Sequence, residues 1–194
     1  MRLIALVGPK RSGKSEVAKV LKWHGFTCVK FAQPLKDMIL SLPGMTKNHV
    51  ESDLKDEPCD IFNGKTVRHA MQTLGTEWGR DCIDKNIWLS LWKAKIEGLQ
   101  LVVTDDCRFV NEAQVIKALG GEVWEVQRGD LSCEGHSSET EMQNIKAHKI
   151  VLNNGNLYDL TLTVQSMLGS VKWEGEDIEP PTREPSRVVE GSDA

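Results

Sequence analysis

Short apolar runs alternate with amphipathic stretches along the chain. Residues 3–7 are apolar and stop at Gly8-Pro9, as a strand buried on both faces does. Residues 14–24 follow with Val17, Ala18, Val20 and Leu21 at helical spacing. Residues 27–31 read as a second strand, and Pro34 opens a helix carrying Leu35, Met38 and Ile39. Residues 46–65 break the rhythm. They are polar, hold Pro58 and Gly64, have few apolar anchors, and read as a mobile excursion. Helical spacing returns at 66–78 and 84–96. A third strand falls at 99–104, and the helix at 110–119 is stopped by Gly120-Gly121. Strands four and five fall at 122–127 and 148–152. Asn156 is placed to cap a last helix over 156–168, with Asp159 three residues on.

Strands that alternate with helices imply an α/β fold, a five-stranded parallel sheet with helices on both faces. The chain has 194 residues, enough for one such domain over residues 1–168. After Gly169 it turns acidic, with Pro180-Pro181 and Pro185 and little to bury, so residues 169–194 read as a disordered tail. With 40% hydrophobic and 27% charged residues the chain can bury a core. The net charge is −4, and residues 171–194, with three basic and seven acidic side chains, carry all of it. A neutral body argues against coating nucleic acid, which needs a basic surface. No apolar run is long enough for a membrane span or a signal core. The five cysteines are odd in number and widely spaced, which points to reduced thiols and a cytoplasmic protein. Cys133 and His136 lack a second pair at zinc spacing, so they are read as bland.

Gly8-Pro9-Lys10-Arg11-Ser12-Gly13-Lys14-Ser15 fits GxxxxGK[ST] with a strand before it and a helix after. In such a loop the backbone amides wrap the β-phosphate of a nucleotide, and the helix N-terminus aims at the same phosphates. Gly8, Lys10, Arg11, Ser12, Gly13, Lys14 and Ser15, with Glu16 opening the helix, are the expected ATP cradle. Lys14 would reach the β- and γ-phosphates, and the Ser15 hydroxyl would bind Mg²⁺. Neither NKxD nor DxxG is present, which excludes a GTPase switch, and Asn153-Asn154-Gly155-Asn156 is not NKxD. A small kinase or a non-catalytic ATP-binding module remains.

Two further constellations bear on that choice. In 66–78, Val67, Met71, Leu74 and Trp78 form an apolar stripe, and Arg68, Gln72, Gly75 and Thr76 a neighbouring polar one. Gly75 either ends the helix or admits a close neighbour. Asp105-Asp106-Cys107-Arg108 emerges at the carboxyl end of the third strand, the edge where open α/β sheets bind ligands. Asp105 or Asp106 could hold Mg²⁺ or accept a hydrogen bond from substrate, and Arg108 offers a planar fork for phosphate.

These residues resemble the deoxynucleoside monophosphate kinases of tailed bacteriophages, a branch of the P-loop nucleoside monophosphate kinases. The likeness rests on GPKRSGKS, on RHAMQTLGTEWGR from Arg68, on Trp88, on DCRFVNE from Asp106 and on HSSE from His136. It implies a P-loop kinase with a monophosphate-binding lobe at about 34–98 and a lid at about 128–147. It further implies γ-phosphoryl transfer from Mg-ATP to a deoxynucleoside 5′-monophosphate, in the host cytoplasm for a virus-encoded chain. By the resemblance Arg68, His69, Gln72, Gly75 and Thr76 would hold the monophosphate, with Trp88 lining the base or sugar pocket. Asp106, Arg108 and Glu112 would complete that site, and Lys14, Arg108, Asp106 and the lid residue Arg128 would be catalytic. His69 stands where relatives tend to have Lys, and His136 and Glu139 would order the lid. Mg²⁺ would rest on Ser15 and Asp105. A homodimer is left open. The alternatives are a kinase of the dephospho-coenzyme A kinase type, which phosphorylates a hydroxyl, and the non-catalytic module.

Overall fold

β1 (Arg2–Val7) runs through the middle of one five-stranded sheet. The computed structural model describes residues 1–129, 142 and 144–169. β2 (Thr27–Cys28), β3 (Leu101–Thr104), β4 (Glu122–Gln127) and β5 (Lys149–Leu152) complete the sheet in the order β2-β3-β1-β4-β5. Every pairing is parallel, with Ala5 opposite both Thr104 of β3 and Val123 of β4. The chain therefore winds away from β1 to one side through β2 and β3, then to the other through β4 and β5. The loop leaving β1 sits where that order reverses, which is where a crevice opens in such sheets.

Side chains of β1 alternate between two cores, as a strand's two-residue period requires. Leu3, Ala5 and Val7 face Leu89, Trp92 and Ile96 of α5 (Ile87–Ile96) and Ala113 and Ile116 of α6 (Val110–Ala118). Ile4 and Leu6 face Val17, Val20 and Leu21 of α1 (Lys14–Trp23) and Leu160 and Val164 of the C-terminal helix Leu157–Leu168. Each large side chain buried this way contributes about 1.5–3 kcal/mol. Asn156 caps that last helix as expected, its side chain accepting from the Asp159 amide at 3.0 Å.

Three expectations are corrected. The second strand is only two residues long. Val29 still donates to Val103 at 2.9 Å, but the amides of Phe31 and Ala32 turn to the Asp106 carboxylate at 3.0 and 2.9 Å, which takes the chain off the ladder. The stretch 46–65, expected to have few anchors, carries local structure. It folds into α3 (Lys47–Glu51) and two 3₁₀ turns, Asp53–Asp56 and Asp60–Phe62, closed by a bridge between Pro58 and Thr66. Val50 joins Ile39 of α2 (Gln33–Leu40) and Val67 in a small third core, which Phe62, Met71 and Leu74 border.

The third correction concerns 66–78. α4 (Val67–Thr73) passes at Leu74 into a π-helical segment, Leu74–Ile83, whose wider turn adds residues per revolution. Its last turn is closed by the Asp84 amide, which donates to the carbonyl of Gly79 five residues back at 3.0 Å. Gly79 lies in this wide turn, packed against Trp88. A Cβ there would stand 2.5 Å from the Trp88 ring, and the Trp88 indole N–H donates to the Gly75 carbonyl at 2.8 Å. The apolar stripe consequently ends at Leu74, and Trp78 is exposed.

Candidate functional site

The loop after β1 is shaped by residues that must leave ordinary backbone geometry. Gly8 has φ +142° and Gly13 φ +101°, and Arg11 itself takes φ +68°. A Cβ on Gly8 would collide with the carbonyl oxygen of Val126 in β4, and one on Gly13 with the side-chain amide of Asn153. Asn153, just past β5, donates to the Ser12 carbonyl at 2.9 Å. Ser12 is fully buried, and its hydroxyl is the one buried side-chain polar atom without a partner among the described residues. The Lys14 ammonium curls over the loop, donating to the carbonyls of Gly8 and Pro9 at 2.6 and 2.7 Å. The Gly8 amide donates to the Met142 sulfur at 3.3 Å. Lys10, Arg11 and Ser15 are exposed, and Glu16 pairs with Lys19 on the surface at 2.8 Å.

The β3–α6 loop stands beside this cradle, because β3 pairs with β1. Asp105 is buried and lies 3.3 Å from Lys30. Burial opposes the charge on Lys30, yet Asp105 outweighs it and raises the ammonium's pKa. Burial, with the charge of Asp105 added, pushes the nearby Cys28 thiol up to about 11, so it stays protonated. Asp106 spends both carboxylate oxygens on the Phe31 and Ala32 amides, and burial raises its pKa. Glu112 is buried below the loop and accepts from the amides of Arg108 and Phe109 at 2.8 and 3.1 Å. Arg80 meets its other oxygen at 3.2 Å while lying 3.6 Å above the Phe109 ring. Desolvation still dominates and lifts Glu112 to about 7. The Arg108 side chain is exposed at the mouth.

In the lobe, Arg68 forms a two-pronged ion pair with Asp56, its Nη2 donating at 2.9 Å. His69, Gln72 and Thr76 are exposed, while Gly75 packs close to Leu35, to which a Cβ would approach within 2.8 Å. Trp88 is buried, its indole N–H spent on Gly75. Arg128 is exposed just beyond β4. Cys133, His136, Glu139 and the tail from 170 onward lie outside the described residues. Cys28, Cys59, Cys82 and Cys107 are free thiols.

Lys30, Asp56, Arg80 and Asn153 also belong to this region, and residue spacing did not suggest them. Lys30 closes an apolar run, Asp56 sits in the polar stretch, and Arg80 ends the quoted RHAMQTLGTEWGR segment. A lone charge in each place gives no hint of its partner. No helix among the described residues is long and apolar enough to cross a membrane.

The fold is that of the P-loop kinases. Shikimate kinase from Aquifex aeolicus superposes with a TM-score of 0.53 at 13% identity, covering 87% of this chain and 96% of that one. TT1252 from Thermus thermophilus gives 0.50 at 15% identity, covering 88% and 98%. A family profile described as deoxynucleotide monophosphate kinase matches residues 44–164. A protein of Acanthamoeba polyphaga mimivirus, provisionally named a deoxynucleotide monophosphate kinase, is 36% identical over 171 residues, covering 79% of this chain and 89% of its own. The chain belongs to the deoxynucleotide monophosphate kinase family, and is a nucleotide-using phosphotransferase.

Proposed function

We propose that the chain transfers the γ-phosphoryl group of Mg-ATP to a deoxynucleoside 5′-monophosphate, giving the diphosphate and ADP for DNA precursor synthesis. The reading is supported by a phosphate-shaped loop in a chain of this family, together with a lobe arginine whose carboxylate partner also feels the charge of that loop. Arg68 of the lobe is ion-paired to Asp56, and Lys10 of the phosphate loop acts on the same carboxylate.

The residues present fit a polyphosphate. The glycine cradle leaves no room for side chains, and the buried Ser12 hydroxyl awaits a partner. Bound Mg²⁺ would neutralise charge on the transferring group. Among the described residues no three His, Cys, Asp or Glu side chains converge to hold a metal alone. An ion bound with the nucleotide would take the Ser15 hydroxyl and the Asp105 carboxylate beside Lys30 as protein contributions.

The chain's own work is then positioning and positive charge. Lys14 exchanges its Gly8 and Pro9 carbonyls for phosphate oxygens, and Arg108, exposed at the crevice mouth, supplies a second fork. Arg128, exposed just beyond β4, would add further charge. Asp106 and Glu112 act by fixing the loops that carry these groups, Asp106 through Phe31 and Ala32 and Glu112 through Arg108. Gln72 and Thr76 line the acceptor's approach with His69, and Trp88 supports the lobe through Gly75. The lobe at 34–98 and the lid at 128–147 are the corresponding working parts, in a protein of the cytoplasm.

The test is ADP release from Mg-ATP across the four common deoxynucleoside monophosphates and their ribose counterparts, with Arg68→Ala alongside. Stimulation by one or more deoxynucleotides, weakened in KM by Arg68→Ala, is expected. ATP binding with no monophosphate-stimulated release would overturn the reading in favour of a hydroxyl acceptor or a non-catalytic module.

A further inference from the structure

The fork of Arg68 is already filled. Its Nε and Nη2 both donate to the Asp56 carboxylate, a planar two-oxygen group of the same sign as a phosphate face. The hydrogen bond from Arg68 holds the Asp56 carboxyl below its ordinary range, and Lys10 and Lys55 add to the effect. The Lys55 ammonium is in turn lowered, first by its own burial and then by the charge of Arg68. Arg68 is in contact with Asp56, and the charges of Lys10 and Lys55 also act on it, while Asp53 acts as a further counter-charge on Lys55 and Arg68. Such a surplus of positive charge suits a phosphate dianion better than a single carboxylate.

Asp56 sits in a short segment tethered at both ends, but its ion pair is open to solvent. It ends the short 3₁₀ turn Asp53–Asp56, which is anchored before it by the Ser52 hydroxyl accepting from Leu54 at 3.2 Å. Beyond it the Pro58–Thr66 bridge closes the loop just ahead of α4. Both partners of the ion pair are partly exposed, at 35% and 41% of their side chains, and exposed pairs are held weakly.

We propose that Asp56 is an internal stand-in for the acceptor phosphate, holding the Arg68 fork in binding geometry and yielding it when a monophosphate enters. Asp56 thereby sets the acceptor affinity. The inference rests on Arg68 being the acceptor's phosphate ligand. The exchange is of ionic and hydrogen-bonding partners alone, with no covalent bond made or broken.

The experiment compares wild type with Asp56→Asn, Asp56→Glu, Arg68→Ala and the Asp56→Asn/Arg68→Ala double variant. The readouts are KM from ADP release and Kd from calorimetry with each of the four deoxynucleoside monophosphates. Melting temperatures show that each variant is folded. Asp56→Asn should lower the acceptor KM and Kd by about twofold to fivefold, the range an exposed ion pair can resist. The KM for Mg-ATP should move less. Asp56→Glu, which restores the carboxylate, should reverse most of the gain, and the double variant should gain nothing over Arg68→Ala. An unchanged or raised acceptor KM in Asp56→Asn, or a gain that persists without Arg68, overturns the stand-in. Arg68→Ala with undiminished acceptor affinity would remove the underlying site assignment as well. Arg68→Ala weakened while Asp56→Asn fails to tighten removes only the stand-in.

Discussion

The side-chain amide of Asn153 donates to the carbonyl of Ser12 at 2.9 Å, joining the turn after β5 to the loop after β1. The phosphate loop is therefore braced by an edge strand, and Gly13 is pressed against the brace so closely that only hydrogen fits. The cradle is shaped before any nucleotide arrives, so less ordering remains to be done on binding.

Removing the brace should cost both stability and nucleotide affinity. Asn153→Ala leaves the buried Ser12 carbonyl unpaired, a loss of about 1–3 kcal/mol. Gly13→Ala should be worse, since it adds a collision to a backbone at φ +101°. Urea unfolding and ATP titration of the two variants check the order.

Lys14 donates to two carbonyls of its own loop, at 2.6 and 2.7 Å. Lys14→Ala should lower turnover by about 10²–10³-fold, the loss typical when one charge-stabilising donor is removed. The protein should remain folded. Steady-state ADP release and a thermal melt on the same preparation separate the two effects.

Glu112 makes stability depend on pH near neutrality. Its folded pKa, raised by burial to about 7, lies above the ordinary carboxyl value of 4.5. The folded state thus holds the proton more tightly, and the stabilisation from this group is complete below pH 4.5 and lost as pH rises through about 7. Glu112→Gln cannot titrate, so the stability difference between variant and wild type should shift in the variant's favour from pH 5 to 8. Denaturant midpoints across that range check the sign, and a difference that stays flat would mean Glu112 is ionised throughout.

Much of this was written in one dimension. The apolar run over 3–7, the GxxxxGK[ST] loop and the helix behind it are local patterns, and β1, the loop and α1 fall where those patterns put them. The Asn156–Asp159 cap is equally local, two side chains three residues apart serving each other's backbone amides. Periodicity failed at 66–78 because it presumes a constant turn. Gly79 admits Trp88 from a different helix, the turn widens, and Gly75 swings onto Leu35.

The partners of isolated charges were equally out of reach. A carboxylate in a polar stretch, such as Asp56, looks solvated until the Pro58–Thr66 bridge folds it back onto Arg68. Asp106 read as chemistry, yet its two oxygens stop β2 by taking amides from residues some 75 positions earlier. What the sequence alone determined was the strand-and-helix order and the phosphate loop, since hydrophobic period and backbone stereochemistry are properties of neighbouring residues. What only the tertiary structure decided was which charges meet and which amides they satisfy. Those pairings depend on strands 25 to 118 residues apart being brought into register, which no local pattern encodes.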